Sequence, residues 1–266
     1  MMTSSDRAAA AGCIPPLETN MHFTVDWFAG HERNWVELVG QRLAGRAGLR
    51  ILEIGCWEGR CSTWMLQNLA TAPDASLVCV DPWGSAFEEG SALQQEFEGN
   101  RKAWERNVAA SGQQHKVRVL HERSCVALPR LISENTVTAP VTDSDHTTTP
   151  TTSTIQTTGH PTIRSGTCTC EAQSDSANIR SRDSGMFDLI YVDGSHMRLD
   201  VLTDAVMAWQ LLRVGGLLVF DDYEWNQYED NLVCHPRQAV DAFLLVAAHC
   251  CQILYKGYQV FLLKTA

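Results

Sequence analysis

Residues 187–225, FDLIYVDGSHMRLDVLTDAVMAWQLLRVGGLLVFDDYEW, read as strand, helix, strand, with acidic residues ending each strand. Phe187–Val192 is a short apolar run rich in β-formers that stops at Asp193-Gly194-Ser195-His196. A helical pattern closes at Leu211 and Leu212, Gly215-Gly216 supplies a turn, and the apolar run 217–220 stops at Asp221-Asp222. Two such strands joined by one helical crossover are expected side by side and parallel. Asp193, His196, Asp221 and Asp222 then converge at the carboxyl edge, where open α/β sheets hold their ligands. One acidic strand end, or one Asp-Gly-Ser-His turn, is an ordinary solvated rim. Both on neighbouring strands favour a site.

Upstream, residues 25–44 place Trp27, Phe28, Trp35, Leu38, Val39 and Leu43 at near-helical spacing, which predicts one amphipathic N-terminal helix. Residues 49–54 read as a buried strand, followed by Gly55-Cys56-Trp57-Glu58-Gly59 and a helix from Cys61. A strand, a glycine-containing turn and a helix suit a nucleotide, because glycine permits close backbone approach and a helix N-terminus offers free N–H groups. The spacing is not the G-x-G-x-x-G of dinucleotide sites, which counts against an NAD-dependent oxidoreductase. A second strand at 77–80 ends at Asp81, placed either to accept a ribose diol or to open the turn Asp81-Pro82-Trp83-Gly84. A helix over 92–110, a third strand at 117–121 and a short helix from Cys125 follow. Ser124, just before that helix, reads as its N-cap or as part of an adenine pocket. A helix over 236–248 leads to strands at 251–255 and 258–263 joined by a tight turn at Lys256-Gly257.

Residues 134–184 differ from everything around them. These 51 residues hold 14 threonines and 7 serines and lack aromatic residues, leucine and methionine. Such a stretch cannot bury enough surface to offset its ordering entropy, so it is expected to be a disordered insertion. Residues 1–20 are expected to be a flexible arm. The domain would then span 21–266, interrupted by the insertion.

The whole chain has 266 residues, of which 44% are hydrophobic and 20% charged. Its formal charge of −10 argues against a nucleic-acid partner. No apolar run is long enough for a membrane span, and the N-terminus has no secretory h-region. Ten cysteines without a C-x-x-C pair read as reduced thiols. A cytoplasmic location is expected, with an organelle left open.

The segments LRILEIGCWEGRCSTWML, LVCVDPWGS, AWERNVAASG, DLIYVDGSH, LLRVGGLLVFDDYEW, PRQAVDAFLL and KGYQVFLLK resemble class I S-adenosylmethionine-dependent methyltransferases. Within them, the chain is similar to the subgroup of small-molecule and sugar O-methyltransferases related to macrocin O-methyltransferase. Trp57 stands where the first motif usually has its central glycine, and Glu122-Arg123 replaces a more common glycine before Ser124. The resemblance implies a doubly wound, Rossmann-like, seven-stranded α/β sheet whose last strand is antiparallel. It implies S-adenosyl-L-methionine along Glu53, Gly55, Cys56, Trp57, Gly59 and Asp81, reaching Ser124 and Asp193. It further implies a divalent ion such as Mg²⁺ on Asp193, Asp221 and Asp222, with His196 as a base. Hard carboxylates suit Mg²⁺, and a bound cation would acidify an acceptor hydroxyl. Tyr223, Trp225 and Tyr228 are candidates for the acceptor pocket. The expected reaction is O-methylation of a hydroxylated small molecule or sugar with metal assistance. The competing expectation is a non-catalytic cofactor-binding or interaction module that uses the Thr-rich insertion.

Overall fold

The computed structural model describes residues 20–137, 185–226 and 233–266. The expected N-terminal arm apart from Asn20, most of the Thr-rich insertion, and Tyr228 lie outside the described residues.

Seven strands form one sheet: β1 Arg50–Ile54, β2 Ser76–Val80, β3 Val117–Leu120, β4 Phe187–Val192, β5 Leu212–Phe220, β6 Cys251–Lys256 and β7 Val260–Lys264. Their spatial order is β3-β2-β1-β4-β5-β7-β6. The first five are parallel, and β7 runs antiparallel to both β5 and β6. Chain order reverses between β1 and β4, so a topological switch point lies at their carboxyl ends, as in other doubly wound sheets.

The N-terminal helix α1 covers Glu32–Asn34, Trp35–Gly40 and Gln41–Leu43, its middle part wound as a wider π-helix. The other helices are α2 Arg60–Asn68, α3 Ala92–Ala110, α4 Ser124–Val137, α5 Arg198–Leu211 and α6 Pro236–Ala247. Helices α1, α2 and α3 cover one sheet face, burying Trp35, Trp64 and Trp104 among Ile51, Leu77, Leu189 and Phe261. Helices α4, α5 and α6 cover the other, with Leu128, Ala205 and Phe243 against Leu52, Val80, Ile190 and Leu218. Because both faces are covered, the central strands read as continuous apolar runs rather than alternating ones.

Three expectations need correction. Helix α1 starts at Glu32, not at residue 25, because 22–26 bond elsewhere: Glu58 accepts from Thr24 N (2.6 Å) and Thr24 Oγ1 (3.0 Å), and Arg60 Nε donates to Asp26 (2.9 Å). Gly215-Gly216 is not a turn but lies inside β5, where the pairing with β4 slips between Phe187 and Leu189 and Gly215 takes a φ of 79°. Leu212 accordingly belongs to the strand. Helix α4 runs to Val137, so the Thr-rich stretch contributes its first residues to a helix.

Candidate active site

The parallel ladder continues one residue past each strand. Asp81 N donates to Leu120 O (3.2 Å), Gly55 N to Val80 O (2.9 Å), Asp193 N to Ile54 O (2.8 Å) and Asp221 N to Val192 O (3.0 Å). Asp81, Gly55, Asp193 and Asp221 therefore stand in a row along the carboxyl edge. The sequence-predicted residues of separate motifs thus share one edge of the sheet.

At its centre the loops after β1 and β4 touch. A Cβ on Gly55 would overlap the carbonyl group of Asp193 and crowd Gly194, and Gly55 also has a φ of 85°. Its missing side chain serves loop-to-loop contact. Gly59, with the same φ, precedes α2, and a Cβ there would lie 2.8 Å from the Trp104 ring. Trp57 between them holds a left-handed φ of 47°, an uncommon conformation for a large residue. Its ring packs against exposed Trp27 (5.5 Å) and Phe97 (5.2 Å).

Asp81 locks this loop. Its Oδ2 accepts from the amides of Cys56 (2.7 Å) and Trp57 (3.2 Å), and its Oδ1 from the amide of Trp83 (2.7 Å). A carboxylate has about four lone-pair sites, so roughly one is left over. The turn reading of Asp81 is realised, and the carboxylate keeps capacity for about one further donor. Beneath it, Glu53 Oε2 accepts from Ser62 Oγ and Cys79 Sγ, while Oε1 is buried without a partner among the described residues. Burial pushes the Glu53 carboxyl up to about 8. Glu53, Cys56 and Cys79 place ligand atoms within 4.8 Å of one another. Burial also raises both thiols, so this trio reads as a protonated polar floor. Ser124 is the first residue of α4, and its hydroxyl bonds Asp204 of α5.

The acidic trio divides in two. The Tyr191 hydroxyl lies within hydrogen-bond reach of both Asp193 Oδ2 (3.0 Å) and Asp221 Oδ2, its single proton shared between carboxylates of neighbouring strands. Gln259 Nε2 donates to the same Asp221 oxygen (2.9 Å). Asp222, with a left-handed φ of 58°, faces elsewhere: its Oδ2 lies 2.9 Å from His196 Nε2, and its Oδ1 accepts from Tyr258 OH (3.0 Å). The Trp225 ring lies against the His196 imidazole at 4.4 Å. Burial, then repulsion from the neighbouring carboxylates, raises the carboxyls of Asp193 and Asp221 above their ordinary range. Among the described residues, His196 is the only basic side chain within 4.0 Å of a carboxylate of the trio. Tyr223 turns its hydroxyl to Asp241 (2.9 Å) and is buried, so it serves packing rather than the cleft.

Sequence reasoning missed Tyr191, Gln259 and Tyr258. Tyr191 was discoverable, since strand alternation puts it on the same side as Asp193. The two hairpin residues gave no local signal.

A seven-stranded sheet in this order, with an antiparallel β7 and a loop site at the carboxyl edge, defines the class I methyltransferase fold. The family model described as a methyltransferase domain matches residues 52–171 and 169–223, and the chain belongs to that family. Among solved structures, the chain is similar to the O-methyltransferase TomG of Streptomyces achromogenes, involved in tomaymycin synthesis and solved with SAM. That match has 20% identity and a TM-score of 0.50, covering 90% of this chain and 81% of that one. A candidate O-methyltransferase of Klebsiella pneumoniae matches at 16% identity and a TM-score of 0.53, covering 98% and 94%. The cofactor-bound protein Rv0187 of MTB matches at 14% and 0.52, covering 91% and 83%. At such identities the likeness concerns the fold. No curated protein matches the chain. No helix among the described residues is long and apolar enough to cross a membrane.

Proposed function

We propose that this chain is an S-adenosylmethionine-dependent O-methyltransferase acting on a hydroxylated small molecule or sugar, with a divalent cation at Asp193 and Asp221. The carrying observation is the phenol-bridged carboxylate pair at the ends of β4 and β5, with no ion-pair partner among the described residues, beside the Gly55–Asp81 loop system.

The residues fit both absent groups. Glu53 Oε1 and Trp57 Nε1 are buried beside the first loop without partners, matching the ammonium and carboxylate ends of an amino acid. Asp81 keeps capacity for one ribose hydroxyl. Bound there, the cofactor supplies an electrophilic sulfonium methyl. Ser124 is left out of this set because its hydroxyl is engaged with Asp204. Asp193 and Asp221 are hard oxygen donors whose mutual repulsion a cation would relieve, and the cation would acidify an acceptor hydroxyl. Asp222, expected in the ligand set, turns its oxygens to His196 and Tyr258 rather than to the Tyr191 bridge, so it is assigned to His196 instead.

The chain's own part is positional and protolytic. Asp222 holds Nε2 of His196, leaving Nδ1 to take the acceptor hydroxyl proton as the methyl transfers, and the carboxylate stabilises the resulting imidazolium. Trp225 packs on the ring and limits its rotation. Alignment of the two reactants supplies the remainder of the acceleration. The test is transfer of labelled methyl from the cofactor to extracted metabolites, with and without Mg²⁺. His196→Asn should lower kcat by roughly 10²–10⁴-fold and leave S-adenosylhomocysteine binding intact. Unchanged activity in excess chelator would remove the cation from the reading.

A further inference from the structure

The acidic cluster at the ends of β4 and β5 is set from the opposite end of the chain. Trp35 and Gln259 are both fully buried, at 0% exposure, and Trp35 Nε1 donates to Gln259 Oε1 at 3.0 Å. An indole N–H can only donate, so it forces the amide oxygen toward itself and the amide N–H toward Asp221. Gln259 Nε2 then meets Asp221 Oδ2 at 2.9 Å. The other donor to that oxygen, Tyr191, packs its ring edge-on against Trp35 at 5.0 Å. Trp35 therefore touches both side chains that hold Asp221 Oδ2, while the Asp222 amide donates to Oδ1 at 2.8 Å. It opens the widened π-helical part of α1, an irregularity often found where a helix serves a site.

The adjacent hairpin residue repeats the arrangement. Tyr258 OH holds Asp222, and the Tyr258 ring stacks on His31 at 5.2 Å and 20°. His31 is the N-cap of α1, one turn before Trp35, whose amide donates to its carbonyl. Consecutive hairpin residues thus grip consecutive aspartates, and each is backed by one of two residues a turn apart at the start of α1.

We infer that Gln259, oriented by Trp35, is a positioning residue that fixes the Asp221 carboxylate for the reaction. The N-terminal helix is thereby part of the active-site framework. Neither residue touches the reactants; both act through Asp221. The inference rests on the reading of Asp221 as a site residue.

The experiment uses the full chain labelled with ¹⁵N at its eight tryptophan indoles, with the Trp35 resonance assigned by its loss in Trp35→Phe. In metal-free protein, Asp221→Asn should move the Trp35 indole N–H resonance, and Gln259→Met should remove most of that response. In parallel, Mg²⁺ affinity should fall roughly tenfold or more in Trp35→Phe and in Gln259→Met, with S-adenosylhomocysteine affinity unchanged. Gln259→Met conserves volume, so it covers the case in which Trp35→Phe fails to fold. A Trp35 resonance indifferent to Asp221→Asn overturns the inference, as does unchanged Mg²⁺ affinity in folded variants. If the resonance responds while the wild-type chain binds no Mg²⁺, the positioning role stands and the cation part of the proposed function falls.

Discussion

Gly55 shows how tightly single atoms constrain this site. Its hydrogen atom stands where any Cβ would overlap the Asp193 carbonyl, and its φ of 85° disfavours other residues independently. Gly55→Ala should cost roughly 2–4 kcal/mol, read by urea denaturation, and should weaken S-adenosylhomocysteine binding by parting the two loops. The glycine and the aspartate were both visible in the sequence, but their contact was not, because 138 positions separate them. Asp81, Asp193, Asp221 and His196 were legible because each ends or follows an apolar run. Tyr191 was hidden inside such a run, where an aromatic residue reads as core. Gln259 was hidden in the expected strand 258–263, which begins only at Val260, and its partners Trp35 and Asp221 lie far off in the chain. The division of the acidic trio was also unreadable. It follows from the left-handed backbone at Asp222, which turns that carboxylate toward His196.

Among the elements, α4 and α5 meet over a buried carboxylate. Asp204 of α5 bonds the Ser124 hydroxyl, while its Oδ1 is buried without a partner among the described residues. Burial lifts this carboxyl to about 6, against roughly 3.9 in an unfolded chain. The folded state therefore holds the proton more tightly. The group's contribution is complete below about pH 4 and is lost as pH rises through about 6. Asp204→Asn, which still accepts from Ser124, should stabilise the fold at pH 7.5 by roughly 1–3 kcal/mol and give no gain at pH 4. Thermal melts at the two pH values check this. Most element boundaries followed from apolar runs and glycines. The N-terminal helix was overextended because Trp27 and Phe28 fit its periodicity, whereas Thr24 and Asp26 are tied by Glu58 and Arg60. Glu58→Gln should therefore loosen this segment, costing about 1–3 kcal/mol through loss of a charged acceptor, seen as faster hydrogen exchange at Thr24.

For the whole molecule, the first helix and the closing hairpin converge on the carboxyl edge of one sheet. Strands β1, β2, β4 and β5 bring the loops, the β6–β7 hairpin brings the grip on the aspartates, and α1 braces that hairpin. The fold class was readable because strands alternating with helices demand a parallel sheet, and the closing hairpin marked the departure from a dinucleotide-binding fold. Residues 138–184 lack the aromatic residues, leucine and methionine of a packed core. Replacing 138–184 by a Gly/Ser linker should leave the melting temperature and S-adenosylhomocysteine affinity unchanged, which calorimetry can check. The most direct test of the central claim is isothermal titration of S-adenosylhomocysteine into the purified chain. A saturable single site, weakened by Asp81→Ala, is the predicted result; no binding to the folded wild-type protein would contradict the account.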